Sequence, residues 1–143
     1  MINAGVDGPG AVYAADINSD GHLDVIVASA NEYSISWFQN DGSGATWTET
    51  VLATEVGDAR SVQAVDMDGD DDLDVLAAVD TDQTVMWYKN IDGSGASWMP
   101  VTITTDMVSP RSAVAIDMDR DVGPLPIQLH PRPPPPPLFV WFG

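Results

Sequence analysis

Apolar residues in this chain fall in short runs that repeat. Val12, Ala14 and Ala15 precede an acidic stretch, Val25, Ile26, Val27 and Ala28 follow it, and Ile35 and Trp37 then alternate with Ser34 and Ser36. The same succession returns about fifty residues later: Val62, Ala64 and Val65, then Val75 to Val79, then Val85 and Trp87. Alternation with period two marks a half-buried strand, and a short unbroken apolar run marks a strand covered on both faces. Each unit therefore predicts four strands. They cover residues 12–15 or 62–65, Val25–Ala28 or Val75–Val79, a segment around Trp37 or Trp87, and Thr46–Val51 or Ser97–Ile103. The Gly-rich segments 41–45 and 92–96 turn the chain between the last two strands. Pro100 suits a sheet edge, because proline has no N–H to give to a ladder. No stretch shows helical periodicity.

A four-stranded unit with a period near fifty predicts an all-β fold of β-propeller blades, each of four antiparallel strands. Residues 1–11 read as the end of a preceding blade, since Met1–Val6 aligns with Val51–Val56. Residues 12–61 and 62–112 read as blades with acidic loops, and 113–121 as the start of a third. Propellers close with about four to eight blades, so about two and a half make an incomplete ring. The expectation is a fragment whose open ends are covered by the remaining blades of a parent chain or by self-association. From Val122 the pattern stops, and Pro133–Pro137 favours extended polyproline II, which cannot pair in a sheet. Residues 122–143 are expected to be a disordered tail or sequence from beyond a misread exon boundary, or else a ligand for proline-recognising domains.

Charge adds the next constraint. The 143 residues include 22 acidic and 5 basic side chains, a formal net charge of −17. Three of the acids are Glu32, Glu49 and Glu55, so the other 19 are aspartates. Aspartate belongs in turns, caps and metal loops. A balance this acidic argues against nucleic acid, which wants a basic footprint, and against adsorption to anionic membranes. The absence of cysteine leaves the redox compartment open. No apolar run is long enough to insert in a bilayer, and Met1–Gly5 lacks the features of a signal peptide.

The acids concentrate in two nonapeptides, residues 16–24 (DINSDGHLD) and 66–74 (DMDGDDDLD). Both place oxygen side chains at positions 1, 3, 5 and 9, an arrangement suited to a hard cation such as Ca²⁺. The expected side-chain ligands are Asp16, Asn18, Asp20 and Asp24 in the first loop and Asp66, Asp68, Asp70 and Asp74 in the second. The backbone carbonyls of His22 and Asp72 are the expected fifth ligands. Two like charges about 4 Å apart repel by about 4 kcal/mol at an effective dielectric near 20, so carboxylates this dense call for a counter-ion. All-oxygen coordination favours Ca²⁺ over softer metals, and Mg²⁺ prefers to keep its waters. Gly21 stands at position 6, where a sharp turn demands positive φ, and the second loop has Asp71 there. An EF-hand needs glutamate at position 12, but Val27 and Ala77 occupy it. A third copy begins at Asp117, Asp119 and Asp121 and does not complete the motif.

These loops, followed by the strand end Trp37-Phe38-Gln39-Asn40 or Trp87-Tyr88-Lys89-Asn90 and the Gly-rich turn, resemble the FG-GAP/VCBS repeat family. The resemblance implies a propeller with Ca²⁺ between the first two strands of a blade. It also implies a structural, adhesion-type interaction module in an extracellular or cell-surface protein, with an unknown protein or glycan partner. A lectin-like propeller is the alternative, with Trp37, Trp47, Trp87 and Trp98 either stacking sugars or packing blade against blade. A non-catalytic part of a polysaccharide lyase is a further one. With His22 and His130 the only histidines and no recurring serine–histidine–acid grouping, no enzyme is expected.

Overall fold

The computed structural model describes residues 6–105 and 107–116. They form eight strands: β1 (Pro9–Ala15), β2 (Asp24–Ser29), β3 (Ser34–Asn40), β4 (Trp47–Ala53), β5 (Ala59–Val65), β6 (Asp74–Val79), β7 (Thr84–Asn90) and β8 (Trp98–Thr104). None of the described residues is helical. Two four-stranded sheets result, ordered β1-β2-β3-β4 and β5-β6-β7-β8, with every neighbouring pair antiparallel. Among the described residues the fold is all-β with no closed ring, consistent with propeller blades. Pro100 lies on β8, an edge strand of its sheet.

The first strand of each sheet starts earlier than the apolar pattern suggests, at Pro9 and Ala59 instead of residues 12 and 62. The register shifts between Pro9 and Ala11 and again between Ala59 and Ser61. A bulge of this kind breaks strict alternation, which is why the pattern hides the strand's first turn of pairing. Beyond the bulge the pairing is regular. Ala15 faces Asp24 and Val65 faces Asp74, so each acidic loop springs from a closed ladder end.

One cluster joins the two sheets. Ile26, Ala28, Ile35 and Trp37 of the first pack with Val62, Ala64, Val75, Ala77, Val79 and Tyr88 of the second. The strands β1 and β5 approach so closely that a Cβ on Gly10 would lie 2.8 Å from the Ala59 carbonyl oxygen. Glycine is required there by space. On the other face of the second sheet, Met67, Leu76, Ala78 and Val85 pack with Ala113, with Trp87, Met107 and Ala115 around them.

Residues 113–116, the expected opening of a third blade, form no regular strand. They run beside β5 all the same. The Gln63 amide donates to the Ala115 carbonyl (3.1 Å) and accepts from its N–H (2.9 Å), and Ser61 exchanges longer bonds with Ala113 (3.4 Å). Residues 1–5 of the preceding-blade segment, the partial loop at Asp117, Asp119 and Asp121, and the Pro-rich tail 122–143 lie outside the described residues.

Candidate metal loops

Each acidic loop coils about its first aspartate. Asp16 accepts the N–H of Asp20 (3.0 Å) on one oxygen and that of Gly21 (2.9 Å) on the other. Asp66 accepts from Gly69 (2.7 Å) and Asp71 (3.0 Å) in the same way. Farther along, Asp20 accepts the His22 N–H (2.9 Å), and Asp70 accepts that of Asp72 (3.1 Å). In the first loop the Asn18 amide also donates to Asp20 (2.9 Å); that bond is the leading cause holding the Asp20 carboxyl below its usual range.

The ninth position is the anchor. Asp24 is fully buried and accepts the Ile17 N–H (3.2 Å) and the Asn40 N–H (2.8 Å), tying the loop's entry to the end of β3. Asp74 is equally buried and accepts from Met67 (3.1 Å) and Asn90 (2.9 Å). Burial pushes both carboxyls above their usual pKa, and these backbone donors pull the other way without cancelling it. A carboxyl whose pKa is higher folded than unfolded opposes folding at neutral pH, and that opposition fades as pH falls through the raised value. A cation beside either group would reverse the sign.

Asn40 and Asn90, at the ends of β3 and β7, carry the network onward. The Asn40 amide donates to the Leu23 carbonyl (3.1 Å), and its oxygen accepts from Gly42 (3.0 Å) and Gly44 (3.1 Å). Asn90, fully buried, bonds Leu73 (3.4 Å) and Gly95 (3.1 Å). Loop, strand end and Gly-rich turn are thus one hydrogen-bonded unit, built twice. The only advance sign of this role was that the asparagine recurs in both repeats.

The side chains at loop position 7 also lean on that turn. A Cβ on Gly42 would lie 2.5 Å from the His22 ring, and one on Gly93 would lie 2.4 Å from the Asp72 carboxylate.

In the second loop one carboxylate oxygen each from Asp66, Asp68 and Asp74 lie within 4.8 Å of one another. Asp68 Oδ1 is buried with no hydrogen-bond partner among the described residues. Three converging carboxylates with an orphaned buried oxygen are a donor set that fits a hard divalent cation. Asp70 is engaged elsewhere: its Oδ2 lies 3.1 Å from Lys89 Nζ, and the same ammonium also pairs with Asp68. This role of Lys89 is not evident from the sequence pattern. The signal available was that the chain's single lysine stands at the repeat position filled by Gln39.

Backbone conformation shows a second demand. Positive φ occurs at loop position 6, at Gly21 (88°) and Asp71 (69°), and also at position 4, at Ser19 (58°) and Gly69 (78°). Each loop therefore meets one such position with glycine and one without.

The four described tryptophans are buried or half-buried. Trp37 is 3 % exposed, and a Cβ on Gly95 of the second sheet would lie 2.4 Å from its ring. Trp87, Trp47 and Trp98 are half-buried, and the indoles of the last two donate to Gly44 (3.3 Å) and Gly95 (2.7 Å).

Residues 16–77 match the FG-GAP-like repeat family, a stretch that takes in both acidic loops. No curated protein and no solved structure matches the chain.

Proposed function

Because residues 16–77 are an FG-GAP-like repeat, we propose that this chain is a calcium-stabilised, non-enzymatic interaction module of an extracellular or cell-surface protein. The observation that carries the reading is the convergence of Asp66, Asp68 and Asp74 within 4.8 Å, on a hydrogen-bonded frame that the first loop repeats. Asp16, Asn18, Asp20 and Asp24 with the His22 carbonyl would hold one ion. Asp66, Asp68, Asp70 and Asp74 with the Asp72 carbonyl would hold the other. Bound calcium would supply the positive charge that lets these carboxylates stay ionised together. Its task is architectural, and partners, protein or glycan, dock on other surfaces of the module.

Extracellular calcium is concentrated enough to fill sites of modest affinity. Further blades, from a parent chain or a second copy, complete the structure at its open side, where Val12 is 67 % exposed. A ligand at about a hundred times its Kd stabilises the folded state by about 2.7 kcal/mol, worth roughly 10 °C in Tm for a chain of this size. Differential scanning calorimetry of the full chain in millimolar Ca²⁺ and then in excess EDTA should show a loss of that order. Coincident transitions under the two conditions would sink the calcium reading.

A further inference from the structure

We propose that the second loop carries its own cation: the Lys89 ammonium, held by Asp68 and Asp70, competes with calcium and makes this loop the weaker of the two sites. The proposal deepens the calcium reading and rests on it. Lys89 is the penultimate residue of β7, next to Asn90, the residue whose N–H pins Asp74. The strand that fixes the loop's ninth position thus also delivers an ammonium to its third and fifth. Nζ pairs with Asp68 Oδ2 and lies 3.1 Å from Asp70 Oδ2, with the lysine side chain only 23 % exposed. Asp68 belongs to the trio that converges for a metal.

The first sheet has no such group. Gln39 occupies the equivalent position, and its neutral amide faces Asp20. Nor does the first loop need one to the same degree. It holds three aspartates, Asp16, Asp20 and Asp24, whereas the second holds six, Asp66, Asp68, Asp70, Asp71, Asp72 and Asp74. The more crowded loop is the one with a resident counter-charge.

Ligand charge alone would rank the second loop as the tighter calcium site. Lys89 reverses that order, because an ion entering there must first displace an ammonium from two carboxylates, breaking charge-assisted hydrogen bonds on the way. Displacement remains feasible. The lysine is tethered by a flexible stem, and Asp68 Oδ1 makes no hydrogen bond to it or to any other described residue.

Isothermal titration of the full chain with CaCl₂ tests this, with Asp16→Ala and Asp66→Ala backgrounds assigning each binding event to its loop. Lys89→Gln should tighten the second loop by roughly tenfold, equivalent to about 1.4 kcal/mol. Gln39→Lys should weaken the first loop by a similar factor. Lys89→Met, uncharged and of similar length, should behave as Lys89→Gln does, and circular dichroism confirms that each variant is folded. In EDTA the order inverts: Lys89→Gln should melt lower than the wild type, having lost the ammonium that pairs with Asp68 and Asp70.

Calcium affinities unchanged by the Lys89 and Gln39 substitutions, in a chain that binds calcium, would overturn the competition while leaving the calcium reading intact. Calcium binding by none of the variants would overturn both. A second loop silent in the wild type and binding in Lys89→Gln would support the proposal in its strongest form.

Discussion

The two sheets share a sequence pattern and differ in what covers them. Val62 and Ala64 on β5 are 6 % and 7 % exposed because the first sheet lies against them. Their counterparts on β1, Val12 and Ala14, are exposed, Val12 by 67 %. Leu73 packs against the shared cluster, while Leu23 is 63 % exposed. The second sheet is sandwiched, with the first sheet on one face and residues around Ala113 on the other. Burial here is therefore a property of a repeat's neighbours more than of its own sequence, as expected when each unit cannot cover its apolar face alone.

That contrast is testable first at the buried anchors. Removing Asp74 with Asp74→Ala strands the N–H groups of Met67 and Asn90 in the interior, at about 1–3 kcal/mol each. Asp24→Ala strands Ile17 and Asn40 in the same way, but in the outer sheet. Urea denaturation followed by tryptophan fluorescence should show Asp74→Ala losing about 4 kcal/mol across the whole transition. Asp24→Ala should instead split off an early phase as the first sheet opens. Superimposable curves for the two variants would mean that the sheets unfold as one unit, and the distinction between outer and inner blade would fail.

The packing faces give a smaller and cleaner difference. Val62→Ala removes buried methyl groups at the interface between the sheets and should cost about 2 kcal/mol. Val12→Ala acts on an exposed side chain and should stay within about 0.5 kcal/mol. An equal loss at both sites would show that Val12 is covered in solution. Sedimentation of the wild type at rising concentration would then report whether a second copy does the covering.

Much of this architecture was legible in the chain because its signal is periodic. Runs such as Val25–Ala28 and Val75–Val79 announce strands covered on both faces, and a period near fifty aligns the two acidic loops. What stayed hidden depends on contacts between residues far apart in sequence. Asp24 could be read as a candidate ligand from its spacing, but its bond to the Asn40 N–H spans two strands and a turn. Lys89 could be read as an isolated surface charge, because nothing in local spacing brings it to Asp68. The early starts of β1 and β5 were hidden by bulges, which break the alternation that reveals strands. Charge density marks the loops as places where a counter-charge would stabilise; only the folded arrangement shows that the Lys89 ammonium lies beside one of them.

The backbone of the loops offers the smallest contrast and the most local. Ser19 and Asp71 adopt left-handed φ of 58° and 69° at positions where the opposite loop has Gly69 and Gly21. A side chain in that region costs roughly 1–2 kcal/mol for an ordinary residue and less for aspartate, while a glycine gives back about 0.5–1 kcal/mol through the freer unfolded chain. The strain is the larger of the two terms, so Ser19→Gly should gain about 0.5–1 kcal/mol. Asp71→Gly should gain up to about 1 kcal/mol in EDTA, because it also removes a charge from the more crowded loop. Gly21→Ala isolates the backbone term, since a Cβ there would meet nothing within 4 Å. It should cost about 1 kcal/mol by equilibrium unfolding. A neutral Gly21→Ala would mean that the first loop does not hold its left-handed turn in solution, and the exchange of glycines between positions 4 and 6 would then carry no energetic meaning.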